Sequence, residues 1–197
     1  PCTIDNDIAS TEYTIGFDTA LNTAVEMIDR IRDTAQSHDR CSVVEVMGRN
    51  AGYIALHTGI AVGATAILIP EIKPDIDAVI AKIKKTQKNG KQHFIIILAE
   101  GVGGITEIAK RIADETGIDT KTTVLGHVQR GGSPTLRDRL VATQMGYAAV
   151  QLLNHGIGNR VVCMRGGDIV DEDIATALEM RKPFDFDLIK ITEEVAI

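Results

Sequence analysis

Five consecutive apolar residues, Ile95-Ile96-Ile97-Leu98-Ala99, leave this chain few ways to fold. Side chains alternate between the faces of a β-strand, so an unbroken apolar run belongs to a strand buried on both faces. The sheet that holds it must be covered on each side, which parallel sheets achieve with helical crossovers. The flanking sequence supplies the helices. Phe17, Leu21, Ala24, Ile28 and Ile31 recur at helical spacing and predict an amphipathic helix near 17–35. A second helix is predicted after Gly52, a third over about 75–88, and a fourth on Ile105, Ile108, Ala109 and Ile112 with Gly117 as its terminator. Strands are predicted at Ser42–Met47, Ala66–Ile69, Thr122–Leu125 and, last, Val161–Met164. Ser133-Pro134 reads as the start of a long fifth helix, serine capping and proline in the first turn.

This order predicts an α/β fold: a three-layer αβα sandwich around a mainly parallel sheet with right-handed crossovers, followed by a C-terminal helical tail. The 197 residues suffice for one domain with a substantial core, or for half of a larger enzyme. No apolar run approaches the roughly 20 residues that span a bilayer, and the acidic start is unlike a signal peptide, so no membrane partner is expected. The net charge of −6 argues against a general nucleic-acid surface while leaving room for a local anion pocket. Cys2, Cys41 and Cys163 are too scattered for a disulfide framework or a metal site, which fits a reducing, cytoplasmic setting.

In open parallel sheets, ligands collect beyond the carboxyl ends of the strands. Three polar motifs fall there: Met47-Gly48-Arg49, Glu100-Gly101-Val102-Gly103-Gly104, and Gly126-His127-Val128-Gln129-Arg130-Gly131-Gly132-Ser133-Pro134. Arg40, Arg49, His127 and Arg130 are donors suited to a phosphate, arginine in a bidentate manner, and Glu100 can accept from sugar hydroxyls. Arg49 could equally pair with a neighbouring acid, and the glycines could serve turns alone. His57 and His155 read as packing or surface residues. The opening segment Thr3-Ile4-Asp5-Asn6-Asp7 places a hydroxyl and two carboxylates at alternate positions. If extended, it aims all three to one side, as a proton acceptor and a cation or orienting group would require; a solvated turn has the same composition.

Taken in order and spacing, Thr3-Ile4-Asp5-Asn6-Asp7, Met47-Gly48-Arg49, Glu100-Gly101 and the Gly126–Pro134 motif resemble the bacterial ATP-dependent 6-phosphofructokinase family. The likeness extends through Tyr13-Thr14-Ile15-Gly16-Phe17 and Val44-Glu45-Val46. It implies transfer of the ATP γ-phosphate to the 1-hydroxyl of fructose 6-phosphate in glycolysis, with Mg2+ as cofactor. By that likeness Asp5 is the base, Thr3 and Asp7 arrange the phosphate and the magnesium, and Arg49 stabilises the phosphoryl group in transit. Met47, Gly48 and Glu100 hold the sugar, while His127 and Arg130 bind the 6-phosphate. Arg40 and Lys121 reach that phosphate from an adjacent subunit, Lys121 standing where the family usually has arginine, so a homo-oligomer is implied, a tetramer in the parent family. Arg32, Gly63, Lys91 and His93 match part of an effector pocket. Thr65 and Asn89 replace its usual acidic and basic residues, which implies weakened allosteric control. Cys2 stands where ATP-dependent members have glycine and many pyrophosphate-dependent ones lysine.

The resemblance divides the chain into a catalytic loop segment, 1–16, a sugar-phosphate-binding domain, 17–153, and a C-terminal part, 154–197, that would pack on a nucleotide-binding domain. The family's G-G-D-G-S phosphate loop does not occur in these residues, so the isolated chain is expected to be inactive. A pyrophosphate-dependent enzyme and a non-catalytic sugar-phosphate-binding module are the alternatives.

Overall fold

The computed structural model describes residues 1–195. Helix α1 (Phe17–Ser37) leads into β1 (Cys41–Val46), α2 (Tyr53–Ala61), β2 (Ala66–Leu68), α3 (Ile76–Lys88), β3 (Phe94–Ala99), α4 (Ile105–Thr116) and β4 (Thr120–Val124). A 3-10 helix at Gly126–Arg130 precedes the long α5 (Leu136–Asn154). There follow β5 (Arg160–Arg165), β6 (Asp168–Asp173), α6 (Ile174–Glu179) and α7 (Phe186–Val195). The first four strands form one parallel sheet in the order β2-β3-β1-β4.

The apolar run supplies β3, buried at every position and paired with β1 from Cys41–Phe94 to Val46–Ala99. Its alternation divides the core in two. Ile95, Ile97 and Ala99 join Val44 and Val46 beneath α1, α2 and α5, where Ala20, Ala24, Ile28, Ile54 and Met145 are buried. Phe94, Ile96 and Leu98 join Cys41 and Val43 beneath α3 and α4, where Ile80, Ile83 and Ile112 are buried. That is the three-layer sandwich. Right-handed crossovers require it, since α2 carries the chain from β1 outward to β2, whereas α3 and α4 carry it back the other way.

The C-terminal region departs from the reading above. Val161–Met164 lies within a strand, but that strand pairs antiparallel with β6 in a separate two-stranded sheet. Gly166 and Gly167, at φ 60° and 86°, form the two-residue turn that joins them, the left-handed pair a tight hairpin needs. With four acidic residues in six, β6 carries no apolar alternation that would predict a strand. Helix α5 also starts later than Ser133: Thr135 is extended and its hydroxyl accepts the Asp138 N–H at 3.3 Å, so threonine rather than serine is the cap and Pro134 precedes it. Beyond the hairpin, α7 packs on α2 and β2. Residues 196–197 of the C-terminal part lie outside the described residues. No helix among the described residues is long and apolar enough to cross a membrane.

Candidate active site

The carboxyl ends of β1 and β3 are neighbours, and their outgoing helices, α2 and α4, leave on opposite faces of the sheet. That divergence opens a crevice at the strand ends, the usual position for a ligand in such a sheet. Glu100 sits at the β3 end of the crevice. One oxygen of its carboxylate accepts the backbone N–H of Gly48 at 3.2 Å and that of Arg49 at 2.6 Å. The loop after β1 is thereby bent back on itself, Arg49 taking a left-handed φ of 57°. Gly48 has φ 140°, and a Cβ there would lie 2.3 Å from the Ala51 carbonyl oxygen, so glycine is obligatory on both grounds. Met47 itself is buried in the core, and its N–H is accepted by the Gln129 side chain at 2.8 Å.

The N-terminal segment reaches the crevice from the other side, but not as an extended strand. Ile4 and Asp5 form a turn in which the Thr3 hydroxyl accepts the Asp5 N–H at 3.2 Å. Asn6 follows with φ 54° and points inward, donating to the Glu12 carbonyl and accepting the Thr14 N–H at 3.0 Å. The alternation of Thr3, Asp5 and Asp7 is thus replaced by a turn pinned at Asn6, with Asp5 buried and Asp7 exposed. Asp5 Oδ2 ends 3.9 Å from the Arg49 Nε. Burial pushes the Asp5 carboxyl above the ordinary carboxylate range and Asp7 adds to the effect, while Arg49 and the Thr3 hydroxyl pull it back and Glu100 raises it further. A partly desolvated carboxylate beside a guanidinium can accept a proton while the cation faces an anion.

His127 and Arg130 occupy the 3-10 helix after β4, on the same edge of the sheet, both exposed. The structure therefore gathers Thr3, Asp5, Asp7, Met47, Gly48, Arg49, Glu100, His127 and Arg130 at one end of the sheet. Arg40 and Lys121 are at the other end. Arg40 precedes β1 and Lys121 lies near the start of β4, roughly 20 Å of strand away from Arg49. Both are tied to Asp119, Arg40 at 2.7 Å and Lys121 at 2.9 Å, and these ion pairs hold the Asp119 carboxyl below its ordinary range. Within a single chain they cannot share a ligand with Arg130.

Arg32, Gly63, Lys91 and His93 also gather at the amino ends of the strands. Arg32 donates to the Val62 carbonyl beside Gly63, with its Nε buried and without a partner among the described residues. Burial and the neighbouring Arg32 both lower the Lys91 pKa. Thr65 is buried, its N–H bonded to Ile95, and Asn89 caps the end of α3. His57 is a packing residue, its ring set edge-on to Phe17. A separate cavity of about 230 Å³ between β2, α3 and α7 has a mainly aliphatic lining that includes Thr65 but none of Arg32, Gly63, Lys91 and His93.

Sequence reasoning missed the residues that hold the site together. Asp138, in the first turn of α5, is buried, and its carboxylate accepts the Tyr13 hydroxyl at 2.5 Å, the Gly16 N–H at 2.7 Å, the Thr19 N–H at 2.9 Å and the Thr19 hydroxyl. Burial alone would raise its pKa, but the bonds from Thr19, Tyr13 and Gly16 outweigh it and leave the carboxyl below the ordinary range. Glu71 similarly accepts the Gly52 N–H at the start of α2, at 2.8 Å. Helices α1 and α2 both begin after glycines that offer no side-chain cap. That vacancy was the available signal. The β5–β6 hairpin then grips residues 10–12: Thr11 Oγ1 accepts the Met164 N–H at 3.0 Å, Arg165 donates to Ser10 and the Glu12 carboxylate accepts the Gly166 N–H.

Among the described residues no group of three or more His, Cys, Asp and Glu side chains forms a metal cage. Asp7, exposed beside Asp5, fits a different arrangement, a magnesium ion held by one or two carboxylates and completed by phosphate oxygens.

The phosphofructokinase family profile matches residues 1–153. An ATP-dependent 6-phosphofructokinase of Bacillus cytotoxicus is 53% identical over 197 residues, 100% of this chain and 62% of that protein. One from Clostridium botulinum strain Loch Maree is 53% identical over 191 residues, covering 97% of this chain and 60% of its own length. The solved Saccharomyces cerevisiae phosphofructokinase superposes with a TM-score of 0.86 at 34% identity, covering 99% of this chain and 26% of that one. The chain thus spans about 62% of the length of such curated relatives, matched from its first residue through the Asp5, Arg49, Glu100 and Arg130 segments. It belongs to the phosphofructokinase family.

Proposed function

We propose that this chain is the sugar-phosphate-binding, proton-accepting part of an ATP-dependent 6-phosphofructokinase. The observation that carries the reading is the approach of Asp5 to Arg49, 3.9 Å apart in a crevice whose other wall is Glu100. In this reading Asp5 takes the proton of the fructose 6-phosphate 1-hydroxyl as its oxygen attacks the γ-phosphate of ATP. Arg49 faces the charge on the phosphoryl group in transit, and Thr3 fixes the turn on which Asp5 stands. Glu100, Met47 and Gly48 border the sugar, and His127 and Arg130 meet its 6-phosphate. Catalysis by positioning and charge stabilisation suits phosphoryl transfer, where the protein forms no covalent bond to the substrate. Asp7 would hold a magnesium ion, which would supply neutralisation of charge on the nucleotide phosphates.

Arg40 and Lys121, at the far edge of the sheet, serve a phosphate on a second copy of the chain, which makes the working form a homo-oligomer. Lysine keeps the charge of Lys121 without a planar fork. Arg32, Gly63, Lys91 and His93 form a basic site for an anionic effector, weakened by the neutral Thr65 and Asn89. The setting is cytoplasmic, in keeping with three free cysteines.

The test joins the chain to the upstream part of a relative that carries a G-G-D-G-S loop. The joined enzyme should turn over fructose 6-phosphate with ATP, and Asp5→Asn should lower kcat by about 10²–10⁴-fold with sugar-phosphate binding retained. Calorimetry on the 197-residue chain should show fructose 6-phosphate binding without turnover. Normal kcat in Asp5→Asn would refute the assignment, and turnover by the chain alone would refute the division of labour. Binding without any turnover in the joined enzyme would favour a non-catalytic module.

A further inference from the structure

We propose that Gln129 is a positioning residue that keeps the phosphate-binding arm of the site in register with its phosphoryl-transfer arm. The inference rests on the fructose 6-phosphate reading above. Gln129 lies in the 3-10 helix between His127 and Arg130 but is 1% exposed, whereas its two neighbours in the site face outward. Its Oε1 crosses to the exit of β1 and accepts the Met47 N–H at 2.8 Å, a contact spanning 82 residues. The next two amides of that exit, Gly48 and Arg49, are accepted by Glu100. Three consecutive N–H groups are therefore claimed by side chains from the two strands flanking β1, Gln129 beyond β4 and Glu100 at the end of β3. The β1 exit has no independent position.

The other end of the same side chain shows that Gln129 is more than filler. Its Nε2 is buried without a partner among the described residues. A buried polar group left unpaired carries its full desolvation penalty, and methionine would fill the same volume without it. What glutamine provides that methionine cannot is an acceptor at a fixed reach from the 3-10 helix. That reach sets the spacing between the groups that meet the 6-phosphate and the loop that meets the reacting end of the sugar. A ligand touching only the first arm is indifferent to the spacing, while one that bridges both depends on it.

The experiment uses Gln129→Met in the 197-residue chain, titrated calorimetrically with two probes, inorganic phosphate and fructose 6-phosphate. Affinity for fructose 6-phosphate should fall about tenfold, the equivalent of about 1.4 kcal/mol, with phosphate affinity changed less than about twofold. Equal loss of both would mark general damage to the pocket and overturn the proposal, as would an unchanged sugar-phosphate affinity. A wild-type chain that binds neither probe overturns the sugar-phosphate reading and this inference with it. Should Gln129→Met fail to fold, amide exchange in the wild type decides. The Met47 N–H must exchange as slowly as the amides of β1, and exchange at loop rates refutes the clamp.

Discussion

Replacing Asp138 with asparagine should unsettle the N-terminal segment that bears Asp5, because its carboxylate holds Tyr13 and Gly16 at the end of that segment. The carboxylate accepts four hydrogen bonds, two on each oxygen: Tyr13 and Gly16 on Oδ1, the Thr19 N–H and hydroxyl on Oδ2. Asparagine keeps the shape and one carbonyl oxygen, so two of those bonds can persist, but its NH2 then faces the Thr19 N–H and two donors oppose each other. Loss of one to two charge-assisted bonds at about 1.5–3 kcal/mol each, partly relieved when the threonine hydroxyl turns to accept, gives about 3 kcal/mol of destabilisation. In a domain of this size that corresponds to a fall of about 6–12 °C in Tm. Urea titration followed by far-UV circular dichroism measures it, and an unchanged m-value would show that the denatured state is unaffected. The effect should also depend on pH. Asp138 has a depressed pKa in the folded chain, so its contribution is present above the unfolded value and is lost as pH falls through the folded one. Wild type and Asp138→Asn should therefore converge in acid. A loss below about 0.5 kcal/mol at pH 7, the range of an ordinary surface change, or a loss of equal size at acid pH, would refute the reasoning.

Removing Arg49 should shift the pH profile of the joined enzyme. Arg49 is the largest influence lowering the Asp5 carboxyl, so Arg49→Gln should move the acidic limb of kcat/KM to higher pH in addition to slowing turnover; an unmoved limb would disconnect the two residues. The thiols should divide cleanly under a disulfide reagent. Cys2 is exposed, whereas Cys41 and Cys163 are buried and burial pushes the Cys41 thiol up to about 12, so the native chain should titrate one thiol rapidly and the denatured chain three. Rapid modification of two or three in the native state would contradict the packing beneath the sheet.

The parallel sheet was legible because Ile95–Ala99 carries its environment in its composition, and α1 and α4 because their apolar positions recur at helical spacing. Residues 47–49, 100 and 127–130 were legible as motifs, since each group follows a strand whose direction fixes which end of the sheet it occupies, whereas Thr3, Asp5 and Asp7 follow no strand and only their composition marked them. The hairpin was not, because β6 has no apolar alternation to separate it from a loop and owes its existence to the Gly166-Gly167 turn. Nor could local reasoning find Asp138, Glu71 or Gln129. An Asp two residues into a helix and a Gln beside an Arg read as solvent-facing side chains until tertiary structure brings a donor from more than 80 residues away, although Glu71 reaches only 19 residues back to Gly52.

The borrowed cap on α1 has a consequence for the order of assembly. Gly16 and Asp138 are separated by 122 residues, so the start of α1 cannot be completed on a nascent chain until α5 has been made. At about 5–20 residues per second, synthesis delivers Asp138 roughly 6–24 s after Gly16. In the last third of that interval β1, β3 and the helices between them are already made and can condense, while the segment bearing Asp5 waits. The proposed base is thus among the last groups to be set in place, after the strands that carry Arg49 and Glu100 have been made.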